Sequence, residues 1–297
     1  MSDISTPCVQ ITLSREATVG DLHVRRALPT QRRRTVGAWC FADHMGPEDL
    51  ASSRDVEIAP HPHIGLQTVT WLFDGEFLHR DSLGSEQLIR PGQLNLMRAG
   101  HGVAHSEQTL TPHGSPLHGV QLWLAQSEVT RNGPSSFEHH ATLPECELRH
   151  GLARVLVGEF ASTVSPAHCD GEYVGVELDL SRGLSELALR RDFEYALIVA
   201  SGALDVETVT VAPGRLAYLG TGRDELALTV REATRIMLLG GVALSEPILM
   251  WWNFVARTRQ EISEAHGSWV AGDERFGPVA SSLKRTMVPA PPWTRQR

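Results

Sequence analysis

Gln67-Thr68-Val69-Thr70-Trp71-Leu72-Phe73, followed by Asp74-Gly75, is a run of β-branched and aromatic residues ending on a hairpin signal. Residues 76–81 read as the return strand, Leu83-Gly84 as the next turn, and Arg90-Pro91-Gly92-Gln93 as the turn before a strand at 94–97. Val120-Gln121-Leu122-Trp123-Leu124 closes this half. The same order recurs further on: residues 196–206 parallel 68–79, and 211–219 parallel 89–97. Each copy has an apolar strand, a Gly-centred turn, a return strand, then Pro-Gly and another strand. That repetition points to an internal duplication. Strands at this spacing, without helical periodicity between them, predict an all-β sandwich or small barrel in each half. A polar, punctuated stretch near Arg131-Asn132-Gly133-Pro134-Ser135-Ser136 predicts the connection, so the domains are expected at 1–147 and 148–297. One short helix is expected over 258–266, with Ile262 and Ala265 as its apolar positions, and the Pro-rich tail 284–297 as irregular or frayed.

Composition narrows the function classes. The chain has 297 residues, which is a prior for two domains, and its 41% hydrophobic content can bury a core. Its 27 Lys+Arg against 35 Asp+Glu give a net charge of −8, which argues against direct nucleic-acid binding. Met1-Ser2-Asp3-Ile4-Ser5-Thr6-Pro7 lacks the regions of a signal peptide, and no apolar stretch approaches a membrane span. Four scattered cysteines (Cys8, Cys40, Cys146, Cys169) form no C-x-x-C pair, so a reducing cytoplasm is expected. There is no Gly-x-Ser-x-Gly elbow and no His-Glu-x-x-His. Gly220-Thr221-Gly222 is a turn rather than a nucleotide loop.

Histidine placement carries the chemistry. Alternate strand residues share a face, so His61-Pro62-His63 aims two imidazoles one way, and His105-Ser106-Glu107 aims an imidazole and a carboxylate. On facing strands of a barrel the two pairs would bring four N/O donors together. Pro62 removes an N–H donor and favours a strand start or edge, and Gly100-His101-Gly102 allows a tight turn before the second pair. Three imidazoles and a carboxylate suit iron, manganese, nickel, copper or zinc. A six-coordinate ion would keep two open positions, as a catalytic or sensing metal needs. Asp43, Gln67 and His101 are candidates for orienting the imidazoles, although Asp43 or His44 can equally cap a turn.

These residues also carry a resemblance. The segments 61–70, 75–82 and 97–107, with Phe41-Ala42-Asp43-His44-Met45-Gly46-Pro47, His118-Gly119-Val120-Gln121-Leu122-Trp123 and Arg257-Thr258-Arg259-Gln260-Glu261-Ile262, resemble the pirin family of the cupin superfamily. The resemblance implies a bicupin, two β-barrels with one metal, usually iron as Fe2+, in the N-terminal barrel. Its three His and one Glu map onto His61, His63, His105 and Glu107. The second barrel has no matching His-x-His or His-x-Glu, and is expected to be metal-free. Gln67 stands where cupins generally carry Glu, His101 where relatives often have another residue, and Trp251-Trp252-Asn253 where many pirins have Gly-Pro. The last departure is expected to bear on C-terminal packing rather than on the metal.

Some pirins are quercetin 2,3-dioxygenases, which open a flavonol ring with dioxygen and release carbon monoxide. The resemblance therefore implies a small aromatic substrate and dioxygen as partners, with Glu107 as the catalytic proton acceptor. Trp71 and Met97 are candidate pocket residues, each with a plain reading as barrel core. The alternative is a non-catalytic, iron-dependent redox sensor that binds a transcription regulator or a metabolic enzyme. Any such regulation would run through protein contacts.

Overall fold

The computed structural model describes residues 8–49, 56–110 and 116–294, so the signal-peptide reading of residues 1–7 and the last three residues of the tail lie outside the described residues. Among the described residues the chain is all-β apart from the helix Arg259–Ala271 and a single 3-10 turn. No described helix is long and apolar enough to cross a membrane.

The duplication read in the sequence is a duplication of topology. One seven-stranded sheet runs Ser136–His140, Leu94–Arg98, Leu66–Asp74, Pro116–Ala125, Trp39–Asp49, Leu22–Leu28, Arg15–Val19. The other runs Gln10–Leu13, Arg215–Gly220, Phe193–Ser201, Thr234–Val242, Tyr173–Leu180, Gly151–Val157, Glu145–Leu148. Each has a four-stranded companion. The first is Glu57–His63, Val103–Thr109, Phe77–Asp81, Glu86–Ile89, and the second is Gly183–Ala188, Glu225–Val230, Leu204–Val206, Val209–Val211. Alternation along the strands sets which side chains fill each interior: in Glu225–Val230 every second residue, Leu226, Leu228 and Val230, is buried. One interior is lined by Val155, Val176, Leu197, Leu204, Leu228 and Leu238 and their neighbours, apolar throughout. The other has an apolar end, with Leu22, Leu72, Phe77 and Leu117, and an end crowded with buried histidines.

The compact units do not follow the expected halves 1–147 and 148–297. One comprises Met1–Glu16, Arg25–His44 and Thr142–Leu244, and the other Ala17–Val24, Met45–Ala141 and Ser245–Arg297. Gln10–Leu13 pairs with Arg215–Gly220 in the first unit, and the C-terminal segment packs into the second. The helix begins at Thr258, whose hydroxyl accepts from the Glu261 N–H while Glu261 reaches back, a reciprocal cap. It ends at Ala271, five residues beyond the expected end at 266, with Gly272 capping it in the left-handed region. Its buried residues Ile262, Ala265 and Trp269 join Phe254, Phe276 and Val288 against Ile64 and Ala104. The side chains of Ile64 and Ala104 would otherwise meet water beside the histidine cluster.

Candidate metal centre

Strand register brings the candidate residues together. Val103–Thr109 pairs antiparallel with Glu57–His63, so that His105 lies opposite His61 and Val103 opposite His63. On its other edge the same strand pairs with Phe77–Asp81, placing Asp81 opposite His105 and His79 opposite Glu107. The ring-nitrogen donors of His61, His63 and His105 all lie within 4.8 Å of one another. A second, overlapping cluster within the same reach holds His79, His105 and Glu107. Glu107 is therefore one step along the strand from the three imidazoles and shares His105 with them. A register shift between His105 and Glu107 puts Ile58, rather than Ala59, opposite Glu107. All five side chains are buried.

The outer nitrogens of the three imidazoles are engaged. His61 Nδ1 is 2.9 Å from the Ala59 carbonyl, His63 Nδ1 is 3.2 Å from the Asn253 carbonyl, and His105 Nδ1 is 3.3 Å from His79 Nδ1. A carbonyl can only accept, so His61 and His63 carry their protons on Nδ1 and keep a lone pair on Nε2. His63 Nε2 and His105 Nε2 are 3.0 Å apart. Two nitrogens bound at about 2.1 Å and at right angles around one ion lie about 3.0 Å apart, so the spacing fits adjacent ligands of a common metal.

Burial shapes the charges of this cluster. It drives His61 down to about 4 and His63 and His105 well below the ordinary imidazole value, with neighbouring histidines adding repulsion. All three are neutral at pH 7, the state a metal ligand requires. Burial pushes the Glu107 carboxyl up to about 7, and no hydrogen bond offsets it among the described residues. Three neutral lone pairs beside a carboxyl without a partner form a donor set that a divalent cation satisfies.

The candidates for orienting the imidazoles fall elsewhere. Asp43 takes two hydrogen bonds from Arg26, at 2.8 and 2.7 Å, and Arg25 lies 3.2 Å from His44 Nδ1. His101 is exposed in a turn, while Gln67 is buried on a strand face away from the site. Their place is taken by the carbonyls of Ala59 and Asn253 and by His79. The segment expected to matter only for C-terminal packing thus contacts a site histidine. A two-residue turn between strands Leu249–Trp251 and Phe254–Ala256, with Trp252 at φ +51, delivers the Asn253 carbonyl. Ile64, next to His63, bridges to Phe254, and the Val255 N–H donates to its carbonyl.

Of the candidate pocket residues, Trp71 is fully buried and alternates away from the site. Thr68 is in register with Trp123, whose ring lies 5.2 Å from that of His63, so Thr68 and Thr70 face the histidines and Trp71 does not. Met97 pairs with Thr68 and Phe137 on the inward face. The aromatic neighbours of the site are Trp123 and Phe137. Phe137 stacks on His79 with ring centroids 4.4 Å apart.

Gly65 fixes how closely the C-terminal hairpin approaches. It has φ +66, and a Cβ there would overlap the Val255 carbonyl oxygen. Gly65→Ala is expected to lower stability by about 2–5 kcal/mol through combined backbone strain and overpacking. Denaturant midpoints check this, with reduced metal content expected as Asn253 withdraws from His63.

Two cupin-type barrels, one with a buried cluster of three histidines and a glutamate, define a bicupin with a single candidate metal centre among the described residues. The chain belongs to the pirin family: the family model Pirin matches residues 21–124 and the Pirin C-terminal cupin domain matches 174–277. A Pseudomonas aeruginosa protein provisionally named quercetin 2,3-dioxygenase is 42% identical over 92% of this chain and 87% of its own length. A Caulobacter vibrioides pirin-like protein is 34% identical over 87% of this chain and 92% of its own. The crystal structure of a quercetin 2,3-dioxygenase from Acinetobacter baumannii has a TM-score of 0.92 at 39% identity, covering 97% of each chain.

Proposed function

We propose that the protein is a metal-dependent dioxygenase of the quercetin 2,3-dioxygenase type, acting in the cytoplasm on a flavonol-like enol. One divalent transition metal, Fe2+ in our reading, would be held by the Nε2 atoms of His61, His63 and His105, with Glu107 supplying the carboxylate. The observation that carries this reading is the convergence of three neutral imidazoles, each with its outer nitrogen already bonded, beside a buried carboxyl that has no other partner among the described residues. The names of the Pseudomonas and Acinetobacter relatives support the substrate class. Four free cysteines fit a reducing compartment.

When bound, the metal would supply Lewis acidity toward an enol oxygen and an open position for dioxygen. The chain's own contribution is proton handling and exclusion of water. Glu107, the one carboxyl of the cluster and buried beside the imidazoles, is placed to take the enol proton and return it to the ring-opened product. Buried Trp123 and half-buried Phe137 offer apolar walls to a flat ring and limit the access of bulk water to the site. Both atoms of dioxygen enter the products, an ester and carbon monoxide, so no external reductant is required.

The test is oxygen uptake by anaerobically iron-loaded protein with quercetin and a panel of related enols. Glu107→Gln is expected to lower kcat by about 10²–10⁴-fold, the usual contribution of a positioned base. Absence of turnover in fully iron-loaded wild type would overturn the enzymatic reading and favour the metal-dependent regulatory protein, to be pursued through its protein partner.

A further inference from the structure

His79 and Asp81 lie outside the four residues assigned to the metal, yet both are buried beside them, at 4% and 3% exposure. They share the inward face of strand Phe77–Asp81. Asp81 is anchored first: its Oδ1 accepts from the backbone N–H groups of Leu83 and Ser85, each at 2.9 Å. Its Oδ2 is 3.1 Å from His79 Nε2. The other ring nitrogen of His79 is 3.3 Å from His105 Nδ1. Phe137 lies nearly parallel to the His79 ring, 13° between planes, and limits its tilt.

We propose that His79 and Asp81 are positioning residues that hold His105 in the tautomer leaving its Nε2 lone pair free for the ion. This rests on the reading of His61, His63 and His105 as ligands. Asp81 Oδ2 can only accept, so when the His79 ring carries one proton that proton sits on Nε2. His79 Nδ1 is then a lone pair and can accept a single donor, the Nδ1–H of His105. His105 therefore carries its proton on Nδ1 and presents a bare Nε2 toward His63, 3.0 Å away. The backbone carbonyls of Ala59 and Asn253 do the same for His61 and His63 in one step. His105 has no carbonyl at its outer nitrogen, and the His79–Asp81 pair supplies the acceptor. His79 is a poor direct ligand, because both of its nitrogens are already committed.

The chain of hydrogen bonds predicts an ordering of variants that packing does not. In Asp81→Asn the side-chain oxygen keeps the Leu83 and Ser85 N–H bonds, which turns the NH2 toward His79. His79 must then accept at Nε2 and carry its proton on Nδ1, facing the proton of His105. That conflict forces His105 to the Nε2–H tautomer. In His79→Gln the amide oxygen can still take the His105 Nδ1–H. Ni(II) alone is the probe, with affinity read by chelator competition, and long-range ¹H–¹⁵N spectra of the metal-free protein read the His105 tautomer.

The expected result is a proton on His105 Nδ1 in wild type and on Nε2 in Asp81→Asn, with Ni(II) affinity down about 10–100-fold in that variant. His79→Gln stays near the wild-type affinity, and the double variant Asp81→Asn/His79→Gln recovers it. Packing alone predicts the reverse order, since Asn is isosteric with Asp while Gln forfeits the stack on Phe137. An unchanged His105 tautomer in Asp81→Asn, or weaker binding in His79→Gln than in Asp81→Asn, would overturn the proposal. Wild type that takes up no Ni(II) defeats the ligand reading on its own. The tautomer spectra would still decide the hydrogen-bond chain.

Discussion

His105→Ala is expected to bring metal content from one ion per chain to none while leaving both barrels folded. His105 is the residue common to both clusters of metal-competent side chains, so its loss removes a donor from each. His61 and His63 alone offer two imidazoles, and Glu107 loses the neighbour that links it to them. The fold should persist because the strand Val103–Thr109 is held on both edges by backbone pairing that the substitution leaves intact. A stability cost of about 1–3 kcal/mol is expected from the vacated space and the unpaired His79 Nδ1. Elemental analysis beside near-ultraviolet circular dichroism checks the two halves of this expectation. Near-stoichiometric metal in His105→Ala, or in His63→Ala, would remove the ligand assignment.

The second large effect is a pH dependence that the metal should abolish. His61 is driven to about 4 in the folded chain, and His63 and His105 lie well below the 6.5 that an exposed imidazole shows. The unfolded chain takes up protons at these sites as pH falls through about 6.5, and the folded chain does not. Their contribution to stability is thus full above about 6.5 and is lost as pH falls toward 4. Glu107 acts the other way. Its folded value of about 7 exceeds its unfolded one of 4.5, so it favours the fold below about 4.5 and loses that effect as pH rises through 7. Three histidines outweigh one carboxyl, so the metal-free protein should lose stability on acidification from about 6.5 to 4. Bound metal at a thousand times its Kd adds about 4 kcal/mol and flattens the curve until the ligands protonate. Thermal denaturation across this range, with and without chelator, reads both effects. A metal-free Tm that is flat or rises on acidification would contradict the burial of neutral imidazoles.

Much of this architecture is legible in local sequence, because local sequence encodes it. The hairpin at Asp74-Gly75, its counterpart after Ser201, and the alternation that pairs His61 with His63 depend only on neighbours a few residues apart. The same alternation applies to His79-Arg80-Asp81, which is also a His-x-acid pair. That signal was available for the residue that completes the second cluster. What resists reading is long-range pairing. Nothing in Gln10–Leu13 says that it pairs with Arg215–Gly220, more than two hundred residues on, rather than with a strand of its own half. Backbone acceptors are equally silent: the carbonyls of Ala59 and Asn253 belong to every residue type, and only the fold selects them.

The turn that offers the Asn253 carbonyl to His63 has a consequence for the order of events during synthesis. The two residues are 190 positions apart, so His63 leaves the ribosome about 10–40 seconds before its acceptor at 5–20 residues per second. Helix Arg259–Ala271, which packs against Ile64 beside it, is later still. On a growing chain the N-terminal histidines are therefore present without the parts that orient and cover them. A chain stopped near residue 244 is expected to carry every proposed ligand yet bind the ion poorly, because it lacks the Asn253 carbonyl and the covering helix.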